Sequence, residues 1–188
     1  MKTLVIFVFA VMILASAGCG NKEESAEKSA EQPQSVSKTT VDLHTAVVLN
    51  RLDVIQNHID AGDDLNALEP SRASTPLITA AALGRTDAAK LLIDAGADLD
   101  YRNNDGSTAL ITAAFFCHPE IVQALLDKGA DKMVTNNMGR TALESVEIPF
   151  EDVKDYYDAV GTALRPAGVV LDYDYIKATR PKIAEMLR

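Results

Sequence analysis

The chain of 188 residues contains no tryptophan, and phenylalanine and tyrosine together make up about 5% of it. That excludes a core organised around large aromatic rings. The core must instead come from Leu, Ile, Val and Ala within the 47% of residues that are apolar, as in closely packed Ala-rich helices. Cysteine is almost absent: Cys19 and Cys117 are too few for a disulfide framework. No basic run occurs, and 18 Lys and Arg against 27 Asp and Glu leave a net charge of −9. A nucleic-acid partner needs clustered positive charge, so none is expected; the acidic balance serves solubility or meets a basic partner. Three histidines are present, His44, His58 and His118. Only Cys117 and His118 are neighbours, and adjacent residues do not supply the four ligands zinc takes. No third group is evident to orient a Cys–His nucleophile pair. The sequence therefore predicts no catalytic site, metal, cofactor or small-molecule substrate.

The N-terminus reads as an address. Lys2 supplies a short positive region, Thr3 to Ala15 is almost wholly apolar, and small residues follow up to Gly18-Cys19-Gly20. This is the pattern of a secretory signal. Around the cysteine the chain resembles a bacterial lipoprotein precursor, although Ser16 stands where that family prefers Leu. The resemblance implies cleavage after residue 18, lipidation of Cys19, and anchoring to a membrane. Gly20 follows the cysteine rather than the Asp that tends to retain such proteins at the inner membrane, so the expected location is the outer membrane, facing the periplasm. Residues 19–40 are rich in Ser, Glu, Lys and Gln. They bury too little to offset the entropy of ordering, and read as a disordered tether reaching roughly 25 Å.

Beyond the tether, the chain repeats itself. Ser74–Asp100, STPLITAAALGRTDAAKLLIDAGADLD, returns as Ser107–Asp131, STALITAAFFCHPEIVQALLDKGAD. Thr75, Thr108 and Thr141 are spaced by 33 residues, as are Leu77, Leu110 and Leu143. A fixed period of this size means a stacked array. Each threonine precedes a short Ala-rich segment that its hydroxyl can cap. After Gly84 a second segment carries Ala88, Ala89, Leu91, Leu92 and Ile93 at helical spacing. Gly96 ends it, and a turn-rich connector runs to Asp105-Gly106, a hairpin signal.

On these residues the chain resembles the ankyrin-repeat family: Thr75-Pro76-Leu77, Ala80-Ala81, Gly84, Leu91-Leu92 and Gly96-Ala97-Asp98 follow its pattern, as do Gly106, Thr108, Leu110, Ala113-Ala114, Leu125-Leu126 and Gly129-Ala130-Asp131. An earlier unit at Leu43-His44-Thr45-Ala46 carries one inserted residue between Asn66 and Ser74. A later one begins at Gly139 and diverges at Pro149. The fold implied is an all-α ankyrin-repeat solenoid, helix-turn-helix units joined by β-hairpin loops, with a C-terminal helical extension. The expected organisation is 1–18 signal; 19–40 tether; 41–146 repeats (41–73, 74–106, 107–139 and a partial unit from 140); and 147–188 extension. Within the extension a helix is expected over 151–164, with Val153, Tyr156, Tyr157, Val160 and Leu164 on one face, then an irregular stretch over 165–179 and a last short helix over 181–187. The resemblance gives His44 a loop-stabilising hydrogen bond, and places Cys117 where the family has Gly between its helices.

The resemblance also implies that connector tips and the exposed face of each first helix bind a protein partner. The tip positions are Arg72, Ser74, Asn104, Asp105, Ser107, Met138 and Arg140; the helix positions are Leu49, Leu83, Phe115 and Phe116. The functional expectation is an envelope-tethered module that binds a periplasmic protein, as inhibitor or immunity factor against a secreted toxin or lipase. The alternative is an accessory scaffold for an envelope enzyme.

Overall fold

The computed structural model of the protein describes residues 41–165 and 168–188. The signal, Cys19 and the tether lie outside the described residues. Three helix pairs follow one another: α1 (Leu43–Val48) with α2 (Leu52–Ala61), α3 (Pro76–Leu83) with α4 (Thr86–Asp94), and α5 (Ala109–Phe115) with α6 (Pro119–Asp127). A fourth first helix, α7 (Ala142–Glu147), is followed by α8 (Phe150–Leu164) and α9 (Tyr173–Leu187). No strand is present among the described residues; the expected hairpins are turns held by individual hydrogen bonds.

The first helix of each unit starts where the sequence supplies an acceptor. The Thr75, Thr108 and Thr141 side chains accept from the backbone N–H groups of Ile78, Ile111 and Glu144, and Asp42 does the same for Thr45 in the first unit. Thr141 and Glu144 complete a reciprocal capping box. Between the two helices of a unit the chain must reverse within one residue. Asn50, Gly84 and Cys117 make that reversal in the left-handed conformation, with φ of 53°, 63° and 61°. Only glycine does this without steric cost. Asn tolerates it, and Cys117 adopts it with its side chain wholly buried.

The helices form two layers. The inner layer is α1, α3, α5 and α7, each packed on the next; the outer layer runs α2, α4, α6 and then α9. The core lies between the layers and is aliphatic, with Ile55, Leu77, Leu92, Leu110, Ile121 and Leu125 fully buried. Ala80, Ala81, Ala113 and Ala114, also fully buried, allow neighbouring inner helices to approach closely.

The fourth unit is completed by α9, not by the segment that follows α7 directly. The buried run Ile121, Val122, Leu125 of α6 returns in α9 as Thr179, Arg180, Ile183, a step of 58 residues in place of 33, so about 25 residues are inserted between the two helices. The break begins at the inter-helix turn. Ile148 and Pro149 are extended, with ψ of 133° and 135°, because proline disfavours a helical residue before it. The chain leaves along a new direction, forms α8 and returns. Within 165–179, the stretch expected to be irregular becomes helical from Tyr173. Asp172 caps α9 by accepting from Asp174 and Tyr175 N–H, and the helix continues through Pro181 to Leu187. Proline lacks the N–H that would bond the Lys177 carbonyl; burial of Thr179, Ile183, Ala184 and Leu187 holds the helix together across that gap.

Candidate functional site

The connectors are built by repeated side-chain turns. Asn103 Oδ1 accepts from Asp105 and Ser107 N–H, and Asn136 Oδ1 accepts from Met138 and Arg140 N–H. The first connector, one residue longer, uses Glu69 for the same purpose, with Ser71, Arg72 and Ser74 N–H as donors. Successive tips are bonded to one another. Asn104 N–H donates to the Arg72 carbonyl at 2.9 Å, and Asn137 N–H to the Asp105 carbonyl at 3.0 Å. Asn137 Nδ2 donates to the Asn104 carbonyl at 2.8 Å. The carboxylates behind the tips are structural too: Asp98 and Asp131 accept from backbone N–H groups of their own turns, and Asp100 accepts from Asp131 N–H of the next unit.

This ladder holds the tip side chains in a fixed row. Asn104, Asp105, Met138 and Arg140 are exposed, and Arg72 is paired with Asp105 at 2.8 Å. Ser107 is half-buried. Ser74 departs from the expected surface: it is buried, and its hydroxyl receives Asn103 Nδ2. So does Leu83, only 9% exposed, whereas Leu49 at the equivalent level of the first unit is 60% exposed. Leu49 belongs to the first unit among the described residues, whereas Leu83 lies in the second.

Phe115 and Phe116 do not form an open apolar stripe. The Phe115 ring stacks on Tyr157 of α8, centroids 4.7 Å apart, and meets Phe116 and Tyr156 edge-on at 5.3 Å. Phe150 stacks on Tyr157 from another side. Both phenylalanines stay half-buried. Aromatic pairs of this geometry add about 0.5–1.5 kcal/mol each beyond area burial, so the inserted helix is firmly seated on the end of α5. The Tyr157 hydroxyl donates to the Phe115 carbonyl and accepts from Arg180 Nη1 at 3.1 Å. Arg180 Nη2 donates to the Ser145 and Ile148 carbonyls, which the end of α7 leaves without helical partners. Of the face expected on α8, Val153 and Tyr157 are buried, while Tyr156 is 42% exposed.

The remaining polar side chains serve the stack. His44 joins the Ala67 carbonyl and the Thr79 hydroxyl across units. His58 bridges Asp63 and the Val41 carbonyl. His118 packs against Gly84 of the preceding unit. Burial lowers its pKa below the ordinary imidazole value, opposed by the Glu120 charge and a hydrogen bond to the Ala82 backbone. Burial pushes the Cys117 thiol up to about 11, against the field of Arg180, so the thiolate needed for nucleophilic chemistry is suppressed. Among the described residues no group of His, Cys, Asp and Glu could hold a metal ion.

Met133, outside the expected set of tip residues, is 70% exposed on the third connector, which also carries Met138 at 71%. The signal was present: one period earlier these positions hold Asp100 and Asp105, so two polar positions of the repeat have become large, flexible and apolar. Such side chains adapt to irregular partner surfaces.

A family model for ankyrin repeats (3 copies) matches residues 43–136, half of the chain. The chain belongs to the ankyrin-repeat family. Arrays of this family are protein-interaction modules. Among solved structures, the crystal structure of the ankyrin repeat domain of Bcl-3, a member of the IkappaB protein family, is similar at 28% identity with a TM-score of 0.53. The alignment covers 55% of this ankyrin chain and 45% of that one, so the chain spans less than half the length of that structure. No curated protein matches the chain. The family match stops at residue 136, so α7 and the split fourth unit lie beyond it.

Proposed function

We propose that this ankyrin array is a lipid-anchored module of the bacterial envelope that binds and inhibits a periplasmic protein. The observation that carries the binding role is the connector row. Asn104, Asp105, Met138 and Arg140 are exposed while their backbones are tied to neighbouring tips or to the Asn136 side chain. A surface fixed before binding loses less conformational freedom on association. The exposed Met133 and Met138 supply apolar contact area, and Arg140 a directional charge. The envelope assignment rests on the N-terminal sequence, Lys2, the apolar run and Gly18-Cys19-Gly20. Several acyl chains on Cys19 would anchor the protein stably where one is marginal.

The test has two arms. Metabolic labelling with an alkyne-bearing palmitate, followed by membrane fractionation, should label the wild-type chain and lose both label and membrane association in Cys19→Ser. Retention of either contradicts the anchor. Affinity capture from gently solubilised envelopes should then recover a defined protein whose activity falls when the array is added. Recovery of a protein whose activity is unchanged would assign the array to scaffolding instead of inhibition.

A further inference from the structure

Between α7 and α9 lies an open groove of about 550 Å³, within the size range of about 300–1,000 Å³ that holds small ligands. Its polar lining is three cations, Lys177, Arg180 and Arg188, against one carboxylate, Glu147. Phe150 and Ala184 contribute apolar wall. In a chain of net charge −9, this surplus of positive charge runs against the overall balance.

Arg180 is the unusual member. It is 5% exposed, at a position that holds Val122 in the preceding unit. Buried Arg is ordinarily paired with an opposite charge. Here three of its N–H groups reach only neutral acceptors, the Tyr157 hydroxyl and the Ser145 and Ile148 carbonyls. A guanidinium has five donors, so two N–H groups have no acceptor among the described residues. Lys177 and Arg188 do have carboxylates, Glu151 at 3.4 Å and Glu147 at 2.8 Å. Those pairs are about half exposed, and exposed pairs are weak enough to exchange. The Lys177 ammonium also lies 4.5 Å over the Phe150 ring.

We propose that the groove between α7 and α9 is a carboxylate site that receives an acidic peptide segment of the protein partner. The incoming carboxylate takes the free face of Arg180 as a charge-assisted acceptor, draws Lys177 and Arg188 from their surface pairs, and lays its flanking apolar side chain on Phe150 and Ala184. With Glu147 and the rim residue Glu151 both counted against the three cations, the surplus is one charge, which a single carboxylate matches and a phosphate dianion exceeds. The inference rests on the protein-binding reading and adds a contact outside the connector tips.

Four probes are titrated into the full-length, isotope-labelled chain while the Arg180 Nε–H resonance is followed. They are a blocked peptide with one glutamate between leucines, its glutamine counterpart, the glutamine peptide with a free C-terminus, and sodium phosphate. The glutamate peptide should shift that resonance saturably and bind at least about tenfold more tightly than the blocked glutamine peptide. The exposed-site variants Lys177→Glu and Arg188→Glu, checked for unchanged circular dichroism, should each weaken it by about tenfold or more. Equal binding by the free-terminus peptide also supports the site and identifies a chain terminus as the carboxylate. Equal affinity for the two blocked peptides, a response to phosphate alone, or unchanged binding by both variants overturns the proposal. Full partner capture by the double variant would also overturn it while leaving the protein-binding reading standing.

Discussion

Replacing Tyr157 with phenylalanine removes one oxygen from the fully buried centre of the C-terminal unit. The ring, its volume and its stacking on Phe115 and Phe150 are retained. What is lost is the acceptor for Arg180 Nη1 and the donor to the Phe115 carbonyl. Each buried polar group left unsatisfied costs about 1–3 kcal/mol, with charged groups at the upper end. Two such groups, less some relaxation of the Arg180 side chain, give an expected loss of about 2–4 kcal/mol. At about 2–4 °C per kcal/mol for a domain of this size, Tm should fall by roughly 5–15 °C. The loss should be local. Stability in a repeat array is approximately a sum over units and their interfaces, so α7, α8 and α9 should fray first. Urea unfolding followed by circular dichroism would show a lower midpoint and a shallower slope, because repeats one to three unfold separately. Hydrogen exchange should speed up in α8 and α9 before it does in α3 or α4. Tyr156→Phe is the control: its side chain is 42% exposed, and the change should stay within about 0.5 kcal/mol. A loss below that same limit for Tyr157→Phe would refute the reasoning that the hydroxyl locks the inserted helix to the array.

Other expected outcomes follow from the same geometry. Gly84→Ala should cost more than Gly62→Ala in thermal unfolding. Both sites have positive φ, worth about 1–2 kcal/mol to a side chain, but an added Cβ at Gly84 lies 2.5 Å from His118 Cε1 while at Gly62 nothing lies within 4 Å. Stability should also depend on pH through His118. Burial depresses its folded pKa, so its contribution is complete above the unfolded value of about 6.5 and declines as pH falls below it. His118→Gln should flatten that part of the stability profile measured by urea titration. In a Cys19→Ser background, Cys117 should resist alkylation by iodoacetamide at pH 8 in the native state and react once urea unfolds the array, since burial holds the thiol up at about 11.

How much of this was legible depends on whether the information was local. The caps Thr75, Thr108 and Thr141 and the reversals at Gly84 and Cys117 are set by residues within a few positions, and a strict period displays them repeatedly. The fourth unit hid because its information is distant. The residue that completes it at the Val122 level is Arg180, which no apolar pattern reveals, and Pro181 sits beside it inside the helix. The insertion between α7 and α9 moved that helix out of register with the period. Surface residues fell between these extremes. Asn104, Asp105, Met138 and Arg140 follow from the connector pattern. Ser74 and Leu83 are buried by neighbours that a single unit does not show, and Phe115 and Phe116 are covered by α8.

The central claim is that the row of connector tips binds a protein. The most direct measurement is quantitative affinity capture from envelopes with the wild-type full chain and with a variant carrying Asn104→Ala, Asp105→Ala, Met138→Ala and Arg140→Ala together. All four side chains are exposed, so the variant should keep its helical circular dichroism. The account predicts one enriched partner with the wild type and recovery reduced by about tenfold or more with the variant, since interfaces concentrate their energy in a few residues. Equal recovery by the two chains, or no partner above background with the wild type, would contradict it.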